Sequence, residues 1–272
     1  MAAAGIGLVT VLICFFFVPV FKGEIFLYPY FEIAGLQFRY YGIILGISIL
    51  ISYYVSRNNS WRFGIGKDEI DRVSFWIVLV SFLGARLYYV LIDWDKYSTN
   101  LLSAFKTWEG GLSIYGSLIA GFIFIFFYTR KKAYTLWQLL DVAALGLPLG
   151  QAFGRLANFF NYELIGRETN LPWKMFVPRT GLYHHPAFLY EMVGNIILFG
   201  YLYKLKGKLK PGNLALIYLG VYSLIRFLVE FFRSDEFFLL GFRTNQVVAM
   251  ALLLIAVAAL VVHNRNRLSS KQ

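Results

Sequence analysis

The sequence predicts an all-α polytopic membrane protein with seven core transmembrane helices and a candidate extra N-terminal span. Three observations carry this reading. Of the 272 residues, 58% are hydrophobic and only 15% charged, whereas soluble domains hold about 45–50% apolar and about 25% charged residues. A chain of this size could not bury so much apolar surface in one core, because cores stop growing near ~250–300 residues. Soluble enzyme, disordered chain and fibrous repeat are thereby excluded. The apolar residues also fall into runs near the ~20 residues that a bilayer core requires, and Lys and Arg sort into alternate loops.

The runs are Phe38–Ser56, Val73–Ile92, Leu112–Thr129, Leu136–Phe153, Ala187–Tyr203, Asn213–Phe232 and Thr244–His263. Backbone groups in lipid must be satisfied internally, so each run is expected to be helical. The first opens on Phe38-Arg39-Tyr40-Tyr41-Gly42 on the side of the candidate site, and for Tyr40 an aromatic belt is the better reading. The second holds Arg86 after Gly84-Ala85. The third is entered through Gly110-Gly111-Leu112-Ser113 and Tyr115-Gly116-Ser117, glycines that suit helix packing as well as a site. The fourth carries Asp141, expected to be structural. The fifth starts after Pro186, a residue suited to a helix start, and carries Glu191, an acceptor for a neighbouring arginine. The sixth bears a polar stripe, and the seventh ends among basic residues.

Arg57, Arg62, Lys67 and Arg72 fall on one side, together with Arg130, Lys131 and Lys132, then Lys204, Lys206, Lys208 and Lys210, and finally Arg265, Arg267 and Lys271. By the positive-inside rule this side is cytoplasmic. The core therefore starts outside, crosses seven times and ends inside. The net charge of +11 is read as membrane anchoring, with no nucleic-acid partner. Residues 22–272 are taken as one transmembrane domain. Met1–Phe21 is a separate apolar run without a basic n-region or a clean cleavage site. An uncleaved additional span is favoured there over a start-site extension or a signal peptide.

Cys14 is the only cysteine, so no intrachain disulfide or cysteine-based metal cluster is expected. His184 and His185 are adjacent and form a poor metal site. Ionisable groups inside a membrane are costly and point to function. Tyr222, Arg226, Glu230 and Arg233 lie at i, i+4, i+8 and i+11, a single helical stripe, in which Arg226 and Glu230 can pair. The run from Gly154 to Arg167 brings Arg155, Asn158 and Asn161 onto one turn. Two amides, two guanidinium groups and the Glu163 carboxylate at headgroup depth suit a phosphate and a glycerol. A transporter or channel with an Arg/Glu-lined cavity is the alternative from another class, disfavoured by the mostly apolar cytoplasmic halves of the runs.

The run Gly154-Arg155-x-x-Asn158-Phe159-x-Asn161-x-Glu163-x-x-Gly166-Arg167 resembles the hallmark of the phosphatidylglycerol–prolipoprotein diacylglyceryl transferase family. Tyr41-Gly42, Gly110-Gly111-Leu112-Ser113, His185-Pro186 with Tyr190-Glu191, and Tyr222…Arg226…Glu230-Phe231-Phe232-Arg233 also match. The resemblance runs from about Glu24 to the C-terminus. It implies transfer of the sn-1,2-diacylglyceryl group from phosphatidylglycerol to the lipobox cysteine of preprolipoprotein signal peptides, with release of glycerol 1-phosphate. It also implies a multi-pass protein of the bacterial cytoplasmic (inner) membrane, with its site near the outer leaflet and contact with membrane lipid. No cofactor or metal is implied. The thiol nucleophile belongs to the substrate, so Cys14 need not take part.

In that frame Arg155 and Arg226 hold the phosphate and stabilise the departing glycerol phosphate. Asn158, Asn161 and Glu163 orient its oxygens, and Glu230 and Glu191 orient the arginines. Tyr41, Tyr115 and Tyr222 line the site; Gly166 and His185 complete the lipid-binding set. Many family members carry histidine where this chain has Tyr115, although tyrosine also occurs there. The base is therefore open between Tyr115, His185, a carboxylate and the arginine field alone. The segment between Glu163 and His185 is short beside that of some relatives.

Overall fold

A computed structural model describes residues 17–234, 238–239 and 242–265. They are mostly helical. Seven long helices occupy the seven apolar runs: α1 (Tyr40–Asn59), α2 (Lys67–Ile92), α3 (Ile114–Thr129), α4 (Leu136–Phe160), α5 (Ala187–Leu205), α6 (Asn213–Glu230) and α7 (Thr244–Arg265). Among the described residues α2, α6 and α7 are each long and apolar enough, by length and composition, to cross a membrane, and α3 is a shorter apolar helix. The protein is thus a helical, membrane-embedded one. Its outward surfaces agree: in α7 Val248, Leu254, Ile255, Val257, Val261 and Val262 are all exposed, a face that only a lipid-like solvent stabilises.

Three short antiparallel hairpins depart from the purely helical expectation. They are β1 (Tyr30–Ile33) with β2 (Leu36–Arg39), β3 (Met175–Val177) with β4 (Leu182–His184), and β5 (Phe238–Leu239) with β6 (Phe242–Arg243). In the first, Ile33 pairs with Leu36 across Ala34 and Gly35, whose φ angles are 51° and 80°. Two consecutive positive φ angles make the turn that matches the twist of a two-residue hairpin. Phe38 and Arg39 therefore belong to β2, not to the first helix. The third helix likewise starts two residues later than expected, because Gly110 and Gly111 turn with φ of 92° and 82°.

The described residues divide into two compact units. The first comprises those up to Ser52, Ala144–Lys206, and those from Asn213 onward; the second is Tyr53–Ala143 with Gly207–Gly212. The core of the first gathers Val20, Phe159, Met175, Val177 and Phe188. Of the expected N-terminal span, only residues 17–21 are described, and the rest lies outside the described residues. Residues 17–22 are helical, and Phe17 stacks on Phe159 with ring centroids 4.9 Å apart. Helix α5 packs on α6 and α6 on α7; a Cβ on Gly194 of α5 would come within 2.8 Å of Ile225 Cγ2.

The second unit centres on Ile65, Ile70, Val73, Ile125, Tyr134, Leu139 and Val142. Helices α2 and α3 meet through small residues, as membrane helices do when only close packing draws them together. A Cβ on Gly116 would lie 2.3 Å from the Gly84 carbonyl oxygen, and one on Gly84 would lie 2.2 Å from Ala120 Cβ. Asp141 accepts the Gly212 amide at 2.6 Å, the structural part expected of it.

Arg86 is buried and its guanidinium donates to five backbone carbonyls. The contacts are Ala104 and Gly110 at 2.6 Å, Gly111 at 2.9 Å, Ser103 at 3.0 Å and Lys106 at 3.3 Å. A planar fork with five donors can collect so many acceptors, whereas an ammonium cannot. The loop from Ser103 to Gly111 is therefore wrapped around one side chain. Arg86→Lys is expected to speed amide hydrogen exchange in residues 103–111 by about tenfold or more, the worth of one lost charge-assisted bond, while the α2 and α3 amides keep their protection. Unchanged exchange in the loop would contradict this.

Candidate active site

The polar site lies wholly in the first unit, where the end of α4, the start of α5 and the end of α6 come together. Glu191, one turn into α5, is 1% exposed. A carboxylate buried this deeply must be paired and hydrogen-bonded. Arg155 Nη2 of α4 donates to Glu191 Oε1 at 2.5 Å, and Arg226 Nη1 of α6 donates to Oε2 at 3.1 Å. The Tyr222 hydroxyl adds a third bond to Oε1 at 3.2 Å. One carboxylate thus holds two guanidinium groups from two other helices.

The expected stripe on α6 forms and extends this pairing. Arg226 Nη2 lies 3.5 Å from Glu230 Oε2, and Arg233 Nε lies 3.7 Å from the same oxygen. Glu230 is also 1% exposed. Its other oxygen accepts from Asn245 Nδ2 at 3.1 Å. Arg243 donates to the carbonyls of Glu230 and Arg233, fixing the end of α6. On the opposite side Arg155 Nη1 donates to Asn158 Oδ1 at 3.3 Å. Asn158 and Asn161 each donate to Glu163 at 3.1 Å. The result is a continuous chain, Glu163–Asn158–Arg155–Glu191–Arg226–Glu230–Arg233, with three guanidinium groups and three carboxylates.

Glu163 is aimed back at the asparagines by a strained turn. The Glu163 amide bonds the Asn158 carbonyl at 2.8 Å and the Tyr162 amide bonds the Phe159 carbonyl at 3.2 Å, closing α4 with Tyr162 in the left-handed region. The φ angles of Tyr162 and Leu164 are 51° and 52°, a conformation that non-glycine residues hold only when their surroundings enforce it. The enforcement is visible: the Leu27 amide donates to the Tyr162 hydroxyl at 3.1 Å.

Gly166 has a packing part. A Cβ there would lie 2.4 Å from the Phe232 carbonyl oxygen and 2.6 Å from His185 Cβ. Only glycine lets this backbone thread between the start of α5 and the end of α6, where the Gly166 amide bonds His185 O at 2.8 Å. His184 is locked by Gly166 O at 2.9 Å and Thr180 Oγ1 at 2.9 Å. His185 instead meets the Tyr190 hydroxyl at 2.9 Å, and Trp173 Nε1 donates to that hydroxyl at 2.8 Å. Burial holds the His185 imidazole below the ordinary histidine range, so it is neutral near pH 7 and charges only on acidification.

Like Gly166 and His185, Tyr41 and Tyr115 stand apart from the chain of bonds. Tyr41, 37% exposed, makes no side-chain hydrogen bond to it among the described residues. Tyr115 belongs to the second unit, is 63% exposed and leans on Tyr88 with ring centroids 6.5 Å apart. Asn245 and Arg243 were not anticipated. Asn245 had a readable signal, as a polar residue at the start of an apolar run; Arg243 had none.

The two guanidinium groups bridged by Glu191 remain partly open, with side-chain exposures of 22% for Arg155 and 20% for Arg226. Among the described residues Arg155 Nε is buried without a hydrogen-bond partner. Planar donors held in place by a buried counter-charge, with donor capacity left over, are suited to an anion presenting several oxygens.

The sequence profile of the prolipoprotein diacylglyceryl transferase family matches residues 29–262. A Thermotoga maritima protein named phosphatidylglycerol–prolipoprotein diacylglyceryl transferase is 38% identical, covering 96% of this chain and 94% of its own length. Proteins of the same name from Fervidobacterium nodosum and a Synechocystis strain are 38% and 37% identical, covering 94% and 85% of this chain and 90% and 87% of their own lengths. The chain belongs to the prolipoprotein diacylglyceryl transferase family.

Proposed function

We propose that this enzyme transfers the diacylglyceryl group of phosphatidylglycerol to the cysteine thiol of prolipoproteins. The observation that carries the reading is the pair of partly open guanidinium groups, Arg155 and Arg226, clamped by one buried carboxylate, Glu191. The family match supports a transferase and gives the transporter alternative no support.

The substrate thiolate attacks the glyceryl carbon that bears the phosphate. A C–S bond forms, the C–O bond to phosphate breaks, and its electron pair leaves on the oxygen of glycerol 1-phosphate. The thiol proton is lost before or during attack, because only the thiolate is nucleophilic. Charge grows on the leaving phosphate oxygens, and Arg155 and Arg226 face that charge in a site of low dielectric. Glu191 keeps both guanidinium groups in place, so the site needs little rearrangement as the bond breaks. Asn158, Asn161 and Glu163 orient the headgroup. The full reading has seven crossings in the bacterial inner membrane, with this end of the helices at the outer leaflet and the signal peptide of the substrate presenting its lipobox there. The basic loops at the opposite helix ends support that orientation.

The direct assay uses purified protein, phosphatidylglycerol and a lipobox peptide, with release of glycerol phosphate measured. Arg155→Ala and Arg226→Ala are each expected to lower transfer by about 10²-fold or more, the effect of removing one preorganised donor. Near-normal transfer by both variants would overturn the assignment. Glu191→Gln keeps the side-chain shape and removes its charge. It is expected to reduce kcat by at least about tenfold, because a neutral amide cannot hold two guanidinium groups side by side. Retention of full kcat by a folded Glu191→Gln protein would show that the bridge does not matter.

A further inference from the structure

Beneath the arginine layer the same three helices carry a second polar layer. Gln151 is four residues before Arg155 on α4, Asn195 is four residues after Glu191 on α5, and Tyr218 is four residues before Tyr222 on α6. Four residues are about one helical turn, or roughly 6 Å along the axis. The chain directions place all three on the same side of the arginines, away from the helix ends that carry the site.

Several polar atoms of this layer lack partners among the described residues. Asn195 has no exposure, and among the described residues neither its Nδ2 nor its Oδ1 has a hydrogen-bond partner; Gln151 Oε1 is also buried without one there. Tyr218 lies within interaction range of the Gln151 amide and stacks on Tyr222 with ring centroids 5.8 Å apart. Amides inside membrane bundles ordinarily serve as interhelical bonds. Asn195 makes none among the described residues, so the burial of its amide costs stability.

We propose that this layer is an ester subsite: Asn195, with Gln151 and Tyr218, receives the ester carbonyl groups of the diacylglyceryl moiety. The inference rests on the function proposed above. In a glycerophospholipid the ester carbonyls follow the phosphate by one glycerol unit, on the side of the acyl chains. A phosphate held at Arg155 and Arg226, with its acyl chains pointing along the helices, brings those carbonyls to the depth of the second layer. Ester carbonyls are pure acceptors, and the Asn195 amide offers a donor with no partner among the described residues. Gln151 and Tyr218, both partly exposed, form the open side of the layer, and Asn195 its closed end. The layer thereby distinguishes a diacyl lipid from one whose chains are joined by ethers.

The test compares dioleoyl phosphatidylglycerol with its dialkyl-ether analogue, using the purified full chain, a lipobox peptide and glycerol phosphate release. The wild type is expected to use the diester about tenfold better in kcat/KM, the worth of one hydrogen bond in a buried site. Asn195→Leu is expected to bring the two lipids within about twofold, by losing diester activity and not ether activity. Its unfolding temperature should stay the same or rise, since the unpaired amide is gone. Equal use of both lipids by the wild type would overturn the subsite without any variant. Full discrimination retained by Asn195→Leu would overturn it too and leave a buried water as the amide's partner. No glycerol phosphate from either lipid would instead bring down the transferase reading, and the subsite with it.

Discussion

One buried carboxylate between two guanidinium groups is the constraint on which the first unit depends. Glu191 is almost fully removed from solvent and has charged partners on α4 and on α6. Removing the carboxylate would leave Arg155 without a charged partner among the described residues, in a medium that solvates charges poorly. The three helices are therefore held in register at one end by electrostatics, while apolar contacts and small residues hold them elsewhere. The same bond that ties the helices aims two positive groups at one place. On the proposed function, stability and chemistry share this geometry, and it keeps the two arginines partly open without being loose.

The surrounding backbone serves that arrangement. The left-handed Tyr162 and Leu164 bend the chain so that Glu163 returns to Asn158 and Asn161. Gly166 lets the next segment pass between His185 and Phe232. The seven-residue polar chain is charge-balanced, with three arginines against three glutamates. A balanced network tolerates a membrane setting, and on the proposed function its partly open arginines take the anionic headgroup. In the second unit Arg86 solves a different problem: it gathers carbonyls where a loop has few other partners.

The helices were legible because lipid imposes an all-or-none rule on the backbone and a simple length requirement on apolar runs. The stripe from Tyr222 to Arg233 was legible for the same reason, since charge inside an apolar helix stands out. Ends were less so. Phe38 looked helical by composition, yet the Ala34-Gly35 turn commits it to a strand. Gly110 and Gly111 delay α3 in the same way. Glu191 was visible as an acceptor for an arginine, but its double engagement depends on how three helices pack, and no spacing within one segment reports that. The contacts of Asn245 and Arg243 with the end of α6 are equally non-local. Asn195 reads as an ordinary polar residue in an apolar run until the structure leaves its amide without a partner among the described residues.

The most direct test of the central claim is an experimental structure with phosphatidylglycerol bound. The account predicts the phosphate within hydrogen-bond distance of both Arg155 and Arg226, with Glu191 still joining the two arginines behind it. A phosphate seated elsewhere, or the two arginines parted when the lipid binds, would contradict it.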